Sequence, residues 1–448
     1  MVSHFTEEKP ALKPKIKVLI ITYYWPPSGG SGVQRWMYFA KYLAQLNVEP
    51  VVVTVHPNSA SYRTFDKSFL DKVSDIEVHH TKTFELLKLY SFLTTGSSNK
   101  GIPQGSVGAD KKGFFGKITR YIRANIFVPD ARVGWNNFAY KKAKLLLDKV
   151  DYDWIITTGP PHSTHLIGQR LKREFNIKWL ADLRDPWTEL FYNKDLKRSK
   201  KSQIKDASYE LSVLKTADKV LTIGPSLMQL LIDKLPEKAS KFSFIYNGYD
   251  DEAMNLAKRD TPKIFTISYV GILSAYQPFN SLIKGLILFC QKNPGVKFHM
   301  QFIGDVDETI KEQFISNHKL NHITFTFTGR IEHGNALNLM KSSHLLINLL
   351  ADMEQSKILI SGKMMEYIAT GNAILSVGDT EGDAANLLSD LKYANIFNPD
   401  DIEKITTFID TIYSRWESGK PIENTASKIE AYSRYNTTVE LLKMLEQN

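Results

Sequence analysis

Lys363 and Glu366 stand three residues apart in the segment Ser361-Gly-Lys-Met-Met-Glu-Tyr-Ile-Ala-Thr-Gly371. Small residues open the segment, a helical pattern follows and a glycine closes it, so both charges fall on one face of a short helix near its first turn. That pairing suits a nucleoside diphosphate sugar. The helix start and the Lys363 ammonium offset phosphate charge, while the Glu366 carboxylate accepts hydrogen bonds from ribose hydroxyls. An exposed i,i+3 ion pair has the same spacing, and the segment alone leaves both readings open.

A second set of candidates lies toward the N-terminus. In Tyr23-Tyr-Trp-Pro-Pro-Ser-Gly-Gly-Ser-Gly-Val-Gln-Arg35, glycines follow an apolar run and precede a helical pattern. Without Cβ atoms, Gly29, Gly30 and Gly32 admit a ligand close to the backbone, and the helix start turns unpaired N–H groups toward an anion. The spacing is not the dinucleotide fingerprint and no P-loop lysine follows, so a tight structural turn is the competing reading. Thr157-Thr-Gly-Pro-Pro-His-Ser-Thr-His165 offers two imidazoles to a sugar or acceptor hydroxyl, His162 being the stronger candidate, and its spacing does not suggest a metal triad. Asp182, Arg184 and Asp185 form a charged cluster expected just past a strand end, where open α/β sheets bind ligands; a loop-shaping salt bridge is the alternative. Phe127-Val-Pro-Asp-Ala-Arg-Val-Gly-Trp135 resembles a segment that recurs in the family named below, a resemblance that implies an acceptor-side place for Asp130 and Arg132, with a structural role the equal alternative.

Delivering such groups to one edge requires strands that alternate with helices. Lys17-Val-Leu-Ile-Ile-Thr22, the glycine loop, a helical pattern from Val33 to Leu46 and an apolar run from Pro50 to Val55 make a βαβ unit. Strand-like runs return at Trp154 to Thr157, Lys178 to Asp182 and Lys219 to Ile223, so residues 15–246 are predicted to form one parallel-sheet domain. Ile264 to Val270, Lys297 to Ile303, Ile323 to Thr328, Leu345 to Leu350 and Ala373 to Val377 mark a second α/β domain, residues 262–425. Turn formers in Asn247-Gly-Tyr-Asp250 and Asp260-Thr-Pro-Lys263 flank the boundary. From Ala426 the chain reads as a charged amphipathic helix. Its apolar positions, Tyr432, Tyr435, Val439, Leu442 and Leu445, need a surface, so residues 426–448 are expected to pack back on the first domain.

The 448 residues are 43% hydrophobic and 23% charged, which excludes collagen-like, mucin-like and wholly disordered chains. A single cysteine, Cys290, excludes an intramolecular disulfide and a Cys-rich zinc site and makes a cytosolic setting the default. Residues 1–15 lack the apolar core of a secretory signal, and no run reaches the ~18 apolar residues of a spanning helix. The net charge of +9 favours an anionic partner, but no nucleic-acid recognition motif accompanies it. Residues 94–110 are rich in Gly and Ser and loop-like. In residues 111–123, Lys-Lys-Gly-Phe-Phe-Gly-Lys-Ile-Thr-Arg-Tyr-Ile-Arg, five bases interleave with apolar groups and no acid intervenes. The stretch reads either as an interfacial helix on an anionic membrane, at about 1 kcal/mol per base near the surface, or as a core helix with a solvated basic face.

The glycine loop, Asp182-Leu-Arg-Asp-Pro-Trp187, Tyr246-Asn-Gly-Tyr-Asp250, Phe327-Thr-Gly-Arg330 and the Lys-x-x-Glu-Tyr helix together resemble, in order and from Lys17 to the region of Leu445, the retaining glycosyltransferases of family four. The resemblance implies the GT-B architecture: an α/β fold of two Rossmann-like domains facing a cleft, acceptor on the first, nucleotide-sugar donor on the second, and a C-terminal helix crossing back to the N-terminal domain. It also implies that Glu366 holds the donor ribose, that Gly329, Arg330 and Ile331 lie against the nucleobase, and that Gly29 and Gly30 lie beside the diphosphate and sugar. Ser361 and Gly362, at the helix start, complete the donor-binding set. Two positions depart from the family pattern. Its first glutamate falls at Ile358, with Glu354 and Asp352 as substitutes. The base usual after the glycine of the second domain's first strand is missing from Gly271-Ile-Leu-Ser-Ala-Tyr-Gln-Pro278, so the diphosphate leans on Lys363, with Arg330 the weaker candidate. Both departures are shared in part by a Lys-x-x-Glu-Tyr branch associated with bacterial surface-polysaccharide assembly.

The expectation is therefore a nucleotide-sugar-dependent retaining glycosyltransferase at the cytoplasmic face of the inner membrane, moving a hexose-type sugar to a glycan or polyprenyl-pyrophosphate-linked acceptor. Glu366, Lys363 and His162 are its catalytic candidates. No metal or other cofactor is required, and residues 111–123 are a peripheral contact with anionic membrane. The rival readings are a GT-B nucleotide-sugar epimerase and an inactive glycosyltransferase-like scaffold.

Overall fold

The computed structural model describes residues 16–62, 64–84, 121, 124–189, 198–422, 424 and 429–447. The loop-like stretch 94–110 lies outside these residues, and of the basic stretch 111–123 only Tyr121 is described. The chain forms two compact units. One comprises the described residues up to Thr222, with Leu231–Ser243 and the chain from Thr438; the other comprises Ile223–Leu230 and Phe244–Thr437.

The first sheet contains β1 (Ile16–Ile21), β2 (Val48–Val55), β3 (Glu77–Thr81), β4 (Trp154–Gly159), β5 (Lys178–Leu183), β6 (Lys219–Thr222) and β7 (Phe242–Phe244), in the order β3-β2-β1-β4-β5-β6-β7. The second contains β8 (Phe265–Val270), β9 (Phe298–Ile303), β10 (Thr324–Phe327), β11 (Leu345–Leu349), β12 (Ala373–Val377) and β13 (Ala394–Phe397), in the order β10-β9-β8-β11-β12-β13. Parallel pairing runs through β1–β2, β1–β4 and β4–β5, and through β8–β9, β8–β11 and β11–β12. Each sheet grows outward on one side of its first strand and then reverses to the other side, which makes both Rossmann-like. The carboxyl ends at those reversals, β1 with β4 and β8 with β11, are where such sheets present ligand-binding loops.

Burial on both faces explains the unbroken apolar runs. Val18 to Ile21 are wholly buried, as are Ile155 and Ile156 beside them. In the second sheet side chains alternate between two cores: Phe265, Ile267 and Tyr269 join Leu345, Ile347 and Leu349 in one, while Val270, Leu346 and Leu350 join Tyr367 and Ile368 in the other. In the first unit the helix Ser163–Phe175 lies so close to the sheet that a Cβ on Gly168 would stand 2.4 Å from Trp179 Nε1 and 2.7 Å from Thr157 Cγ2. Overpacking of about 1–3 kcal/mol should outweigh the roughly 1 kcal/mol that alanine gains in helix propensity. Gly168→Ala is therefore expected to lower the urea midpoint of the first unit; an unchanged or raised midpoint would show that Trp179 yields freely.

The C-terminal helix runs over Arg434–Glu446 and not from residue 426. Ser433 is paired in parallel with Tyr249, fixed by hydrogen bonds from the Tyr249 N–H to the Tyr432 carbonyl and from the Arg434 N–H to the Tyr249 carbonyl. An extended residue cannot sit inside a helix, so the helix starts after it, with Ser433 Oγ accepting the Asn436 N–H at 3.0 Å. From Thr438 the helix belongs to the first unit, where Trp154 Nε1 donates to the Leu445 carbonyl at 3.1 Å. Among the described residues no helix is long and apolar enough to cross a membrane.

Candidate functional site

In the second unit, the loops leaving β8, β9 and β10 meet at glycines. The Gly271 N–H (φ +112°) donates to the Ile303 carbonyl at 2.8 Å, and Gly304 (φ +127°) bridges to Gly329 (φ +64°). A Cβ on Gly304 would stand 2.4 Å from the Gly271 carbonyl oxygen, so only glycine allows the two loops to close. Gly329 and Gly362 have nothing within 4 Å of the place a Cβ would take. Those two faces are open to a ligand.

Lys363 caps the helix Met364–Thr370 and Glu366 lies in its first turn. Tyr367 fastens this helix to the sheet: its buried hydroxyl accepts the Val270 N–H at 2.9 Å and donates to the Ile347 carbonyl at 3.1 Å, joining β8 to β11 at their reversal. Lys363 Nζ takes the other polar group of Val270, donating to its carbonyl at 2.5 Å, and sits 3.6 Å from the centre of the Tyr269 ring. The amine is also 3.7 Å from the Cβ position of Gly271. A base thus reaches the Gly271 turn from across the sheet, although the residues that follow Gly271 supply none. No carboxylate among the described residues pairs with Lys363, and burial pulls its pKa down to about 7.

Glu366 does not pair with Lys363. Its Oε1 lies 2.8 Å from His333 Nε2, with the glutamate side chain 14% exposed and the histidine 49%. The hydrogen bond to Glu366 raises the pKa of His333. His333 escaped the reading of the sequence, although a histidine opening a helix three residues after Arg330, in the segment expected against the nucleobase, was the available signal. Arg330 Nε donates to Asp305 Oδ2 at 2.6 Å on the surface. An exposed pair of this kind is worth about 1 kcal/mol or less. Ile331 is partly exposed beside it. Ser361 Oγ donates to Asn348 Oδ1 at 2.8 Å, tying the start of the motif to β11. Asp352 and Glu354 are exposed on the loop after β11, and Ile358 ends the turn Ser356–Ile358.

In the first unit the glycine loop is partly a structural turn. The Gly29 N–H donates to the Thr64 carbonyl at 2.8 Å, and a Cβ there would meet Thr64 Oγ1 at 3.1 Å. Gly30 (φ +92°) is exposed and caps the helix Ser31–Gln45. Asp182 is not past a strand end: it lies within β5, fully buried, and accepts hydrogen bonds from Arg35 Nε (3.1 Å), Trp36 Nε1 (2.6 Å) and Thr158 Oγ1 (2.8 Å). Arg184 donates to the carbonyls of Gly159, Gly32 and Pro160, binding the glycine loop to the loop after β4. These two residues shape loops. Asp185, whose pKa burial raises, has no hydrogen-bond partner among the described residues. Asp130 caps the helix Ser163–Phe175 through the Ser163 N–H (2.7 Å) and hydroxyl (2.8 Å), and Arg132 donates to the Ser61 carbonyl and lies over Tyr23, so both are structural.

His162 and His165 pack over Gly159 and against Trp187. Trp179 Nε1 donates to Thr157 Oγ1 at 2.9 Å, and the same hydroxyl is hydrogen-bonded to His165 Nδ1, also at 2.9 Å. Burial, aided by the charge of Arg184, drops the His165 pKa to about 3, so this imidazole is a neutral structural group. His162 is 4% exposed, stacks on Trp187 with ring centres 4.9 Å apart, and has no partner for either nitrogen among the described residues. Burial first, then His165 and Arg184, hold its pKa well below the usual value, leaving one donor and one acceptor for a hydroxyl. Among the described residues no three His, Cys, Asp or Glu side chains gather as a metal site requires.

No protein-family model matches the sequence, and no curated protein matches it either. Solved structures do match along nearly the whole chain. A glycosyltransferase from Rickettsia africae ESF-5 superposes with a TM-score of 0.59 at 14% identity, covering 96% of this chain and 98% of its own. HepE of Anabaena, in complex with UDP-glucose, gives 0.59 at 14% identity over 97% and 100%. WaaB, a lipopolysaccharide outer core galactosyltransferase without ligand, gives 0.57 at 11% over 96% and 98%. At these identities the likeness establishes the fold: two Rossmann-like domains, the architecture of GT-B glycosyltransferases.

Proposed function

We propose that this protein is a nucleotide-sugar-dependent glycosyltransferase of the retaining type, moving a hexose to a glycan or polyprenyl-pyrophosphate-linked acceptor in cell-surface polysaccharide biosynthesis at the cytoplasmic membrane face. One observation carries the reading: at the carboxyl ends of β8 and β11, an ammonium with no acidic partner and a carboxylate with one free oxygen, both counted among the described residues, stand at the two ends of a single helical turn. That is the charge pattern of a nucleoside diphosphate, anion beside cation and ribose hydroxyls beside anion. The UDP-glucose held by HepE and the outer-core role of WaaB support donor class and pathway respectively.

The ribose hydroxyls donate to Glu366, the nucleobase lies on the open face of Gly329 beside Ile331, and the diphosphate meets Lys363 beside Gly271 and Gly362. The bond from the anomeric carbon to the diphosphate oxygen breaks, its electron pair remaining on the phosphate, where Lys363 offsets the growing charge. The acceptor hydroxyl adds to the same face of the sugar and passes its proton to the departing phosphate oxygen, which retains the configuration. On the first unit, His162 offers its nitrogens to a sugar or acceptor hydroxyl. Gly29 and Gly30 lie on the donor's side of that unit's ligand edge, and residues 111–123 rest on the anionic leaflet.

The test is a panel of UDP-, GDP- and ADP-sugars with membrane lipid extract as acceptor, scored by released nucleoside diphosphate. One base should be preferred, with release dependent on the extract. An altered sugar nucleotide formed without acceptor would identify an epimerase, and binding without release would identify an inactive scaffold.

A further inference from the structure

We propose that His333 is a positioning residue for the donor pentose: it holds Glu366 Oε1 so that the second oxygen is aimed at the ribose hydroxyls, and by doing so sets the preference for ribose over 2′-deoxyribose. The inference rests on the donor reading of Glu366 given above.

A glutamate has three side-chain torsions to fix before it can accept from two hydroxyls at once. His333 removes that freedom in advance. Its ring stands on rigid ground, because the helix His333–Lys341 sinks Ala336, Leu337 and Met340 into the same core that receives Met364, Met365, Tyr367 and Ile368 from the helix carrying Glu366. Asn372, two residues past the end of the second helix, further ties it to the end of the first, its Nδ2 donating to the Met340 carbonyl at 2.8 Å and the Lys341 carbonyl at 3.2 Å. The two backbones are therefore fixed relative to each other, and the 2.8 Å contact at their outer rim inherits that precision. Asp250 and Arg434 are the other charged groups that act on His333, and they oppose each other. Asp250 is engaged as the cap of the helix Asp251–Leu256 through the Ala253 N–H.

Pre-organisation of this kind differs from a surface ion pair in what it changes. An ion pair moves stability, whereas an aimed carboxylate moves the discrimination between a hydroxyl and its absence, because a site built to receive a hydroxyl is left unpaired when the hydroxyl is missing.

The experiment measures binding of UDP, GDP and ADP to the full chain by calorimetry, takes the tightest of the three, and repeats the titration with its 2′-deoxy counterpart. The wild-type protein should prefer the ribonucleotide by about 30-fold, one lost hydrogen bond to a charged group. Glu366→Ala should erase the preference, and His333→Ala should cut it to about a third or less with Glu366 still present. His333→Gln, whose amide can still donate to the carboxylate, should restore most of it, and His333→Asn, one carbon shorter, should not. A full preference in folded His333→Ala, or equal preferences in the Gln and Asn variants, overturns the positioning role while the Glu366 result stands. A wild-type protein with no preference, or with no affinity for any of the three, overturns the reading of Glu366 itself and the inference with it.

Discussion

Replacing Glu366 by alanine is expected to reduce kcat/KM for the nucleotide-sugar donor by about 100-fold or more while the protein stays folded. Two ribose hydroxyls donating to one carboxylate are hydrogen bonds to a charged group, each contributing about 1.5–3 kcal/mol, and tenfold corresponds to about 1.4 kcal/mol. The loss should appear in donor affinity, because the ribose contact is made equally before and during bond breaking. Little stability is at stake, since the side chain lies at a rim with its single described partner, His333. Steady-state kinetics with varied donor, alongside a thermal melt, separates the two quantities. Retained turnover at normal donor affinity contradicts the assignment.

The Lys363→Met variant should lose diphosphate affinity by about 30- to 100-fold, again the weight of a charge-assisted hydrogen bond formed away from bulk water. Its pH behaviour gives a sharper check. The free amine has a pKa of about 7, pulled down by burial. A bound diphosphate stabilises the ammonium, so binding above that pH requires proton uptake, and affinity should fall by up to about tenfold per pH unit from pH 7.5 to 9. A nucleotide sugar carries no phosphate that titrates there, and the methionine variant should give a flat line. The effect on stability has the opposite sign. With the folded pKa below the unfolded one, the folded state binds fewer protons between about pH 7 and 10.5, so the lysine's contribution improves as pH rises through that window and is unfavourable below it. Lys363→Met should accordingly melt no lower than the wild type at pH 6.5. A variant that loses stability and keeps nucleotide affinity would return Lys363 to a structural role.

Central strands were legible in the sequence, and among the edge strands β10 was too, since its Phe325 and Phe327 pack against the core, whereas β3, β7 and β13 were not. β1 and β8 are flanked on both sides and covered on both faces: Val18 to Ile21 reads as an uninterrupted apolar run, and β8 alternates apolar residues with the small buried Thr266 and Ser268. β3 is an edge whose Glu77-Val-His-His-Thr81 leaves most positions in contact with water, and β7 and β13 are edges of three and four residues. Nothing in their composition had to change for them to pair, so nothing marked them. The site divides in the same way. Lys363 and Glu366 could be found because their relation is local, three residues on one turn. The partners that give them meaning lie far along the chain: Val270 for the lysine and His333 for the glutamate, brought close only by the pairing of β8 with β11 and the packing of two helices. Asp182 misled for a related reason. A carboxylate near the end of a strand suggests a ligand, but Arg35 and Trp36, brought in by the first helix, had already taken it.

Gly304 carries the carbonyl of Gly271 where any other residue would carry its first side-chain atom. The seam between the two loops is therefore a contact of backbone with backbone, with Gly329 bridged on one side and the Lys363 amine close to Gly271 on the other. On the donor reading, a change of base preference is expected to leave that joint alone. It should come from substitutions beside it, at Ile272 and Ile331, whose side chains project from the loops and can be exchanged without touching the joint.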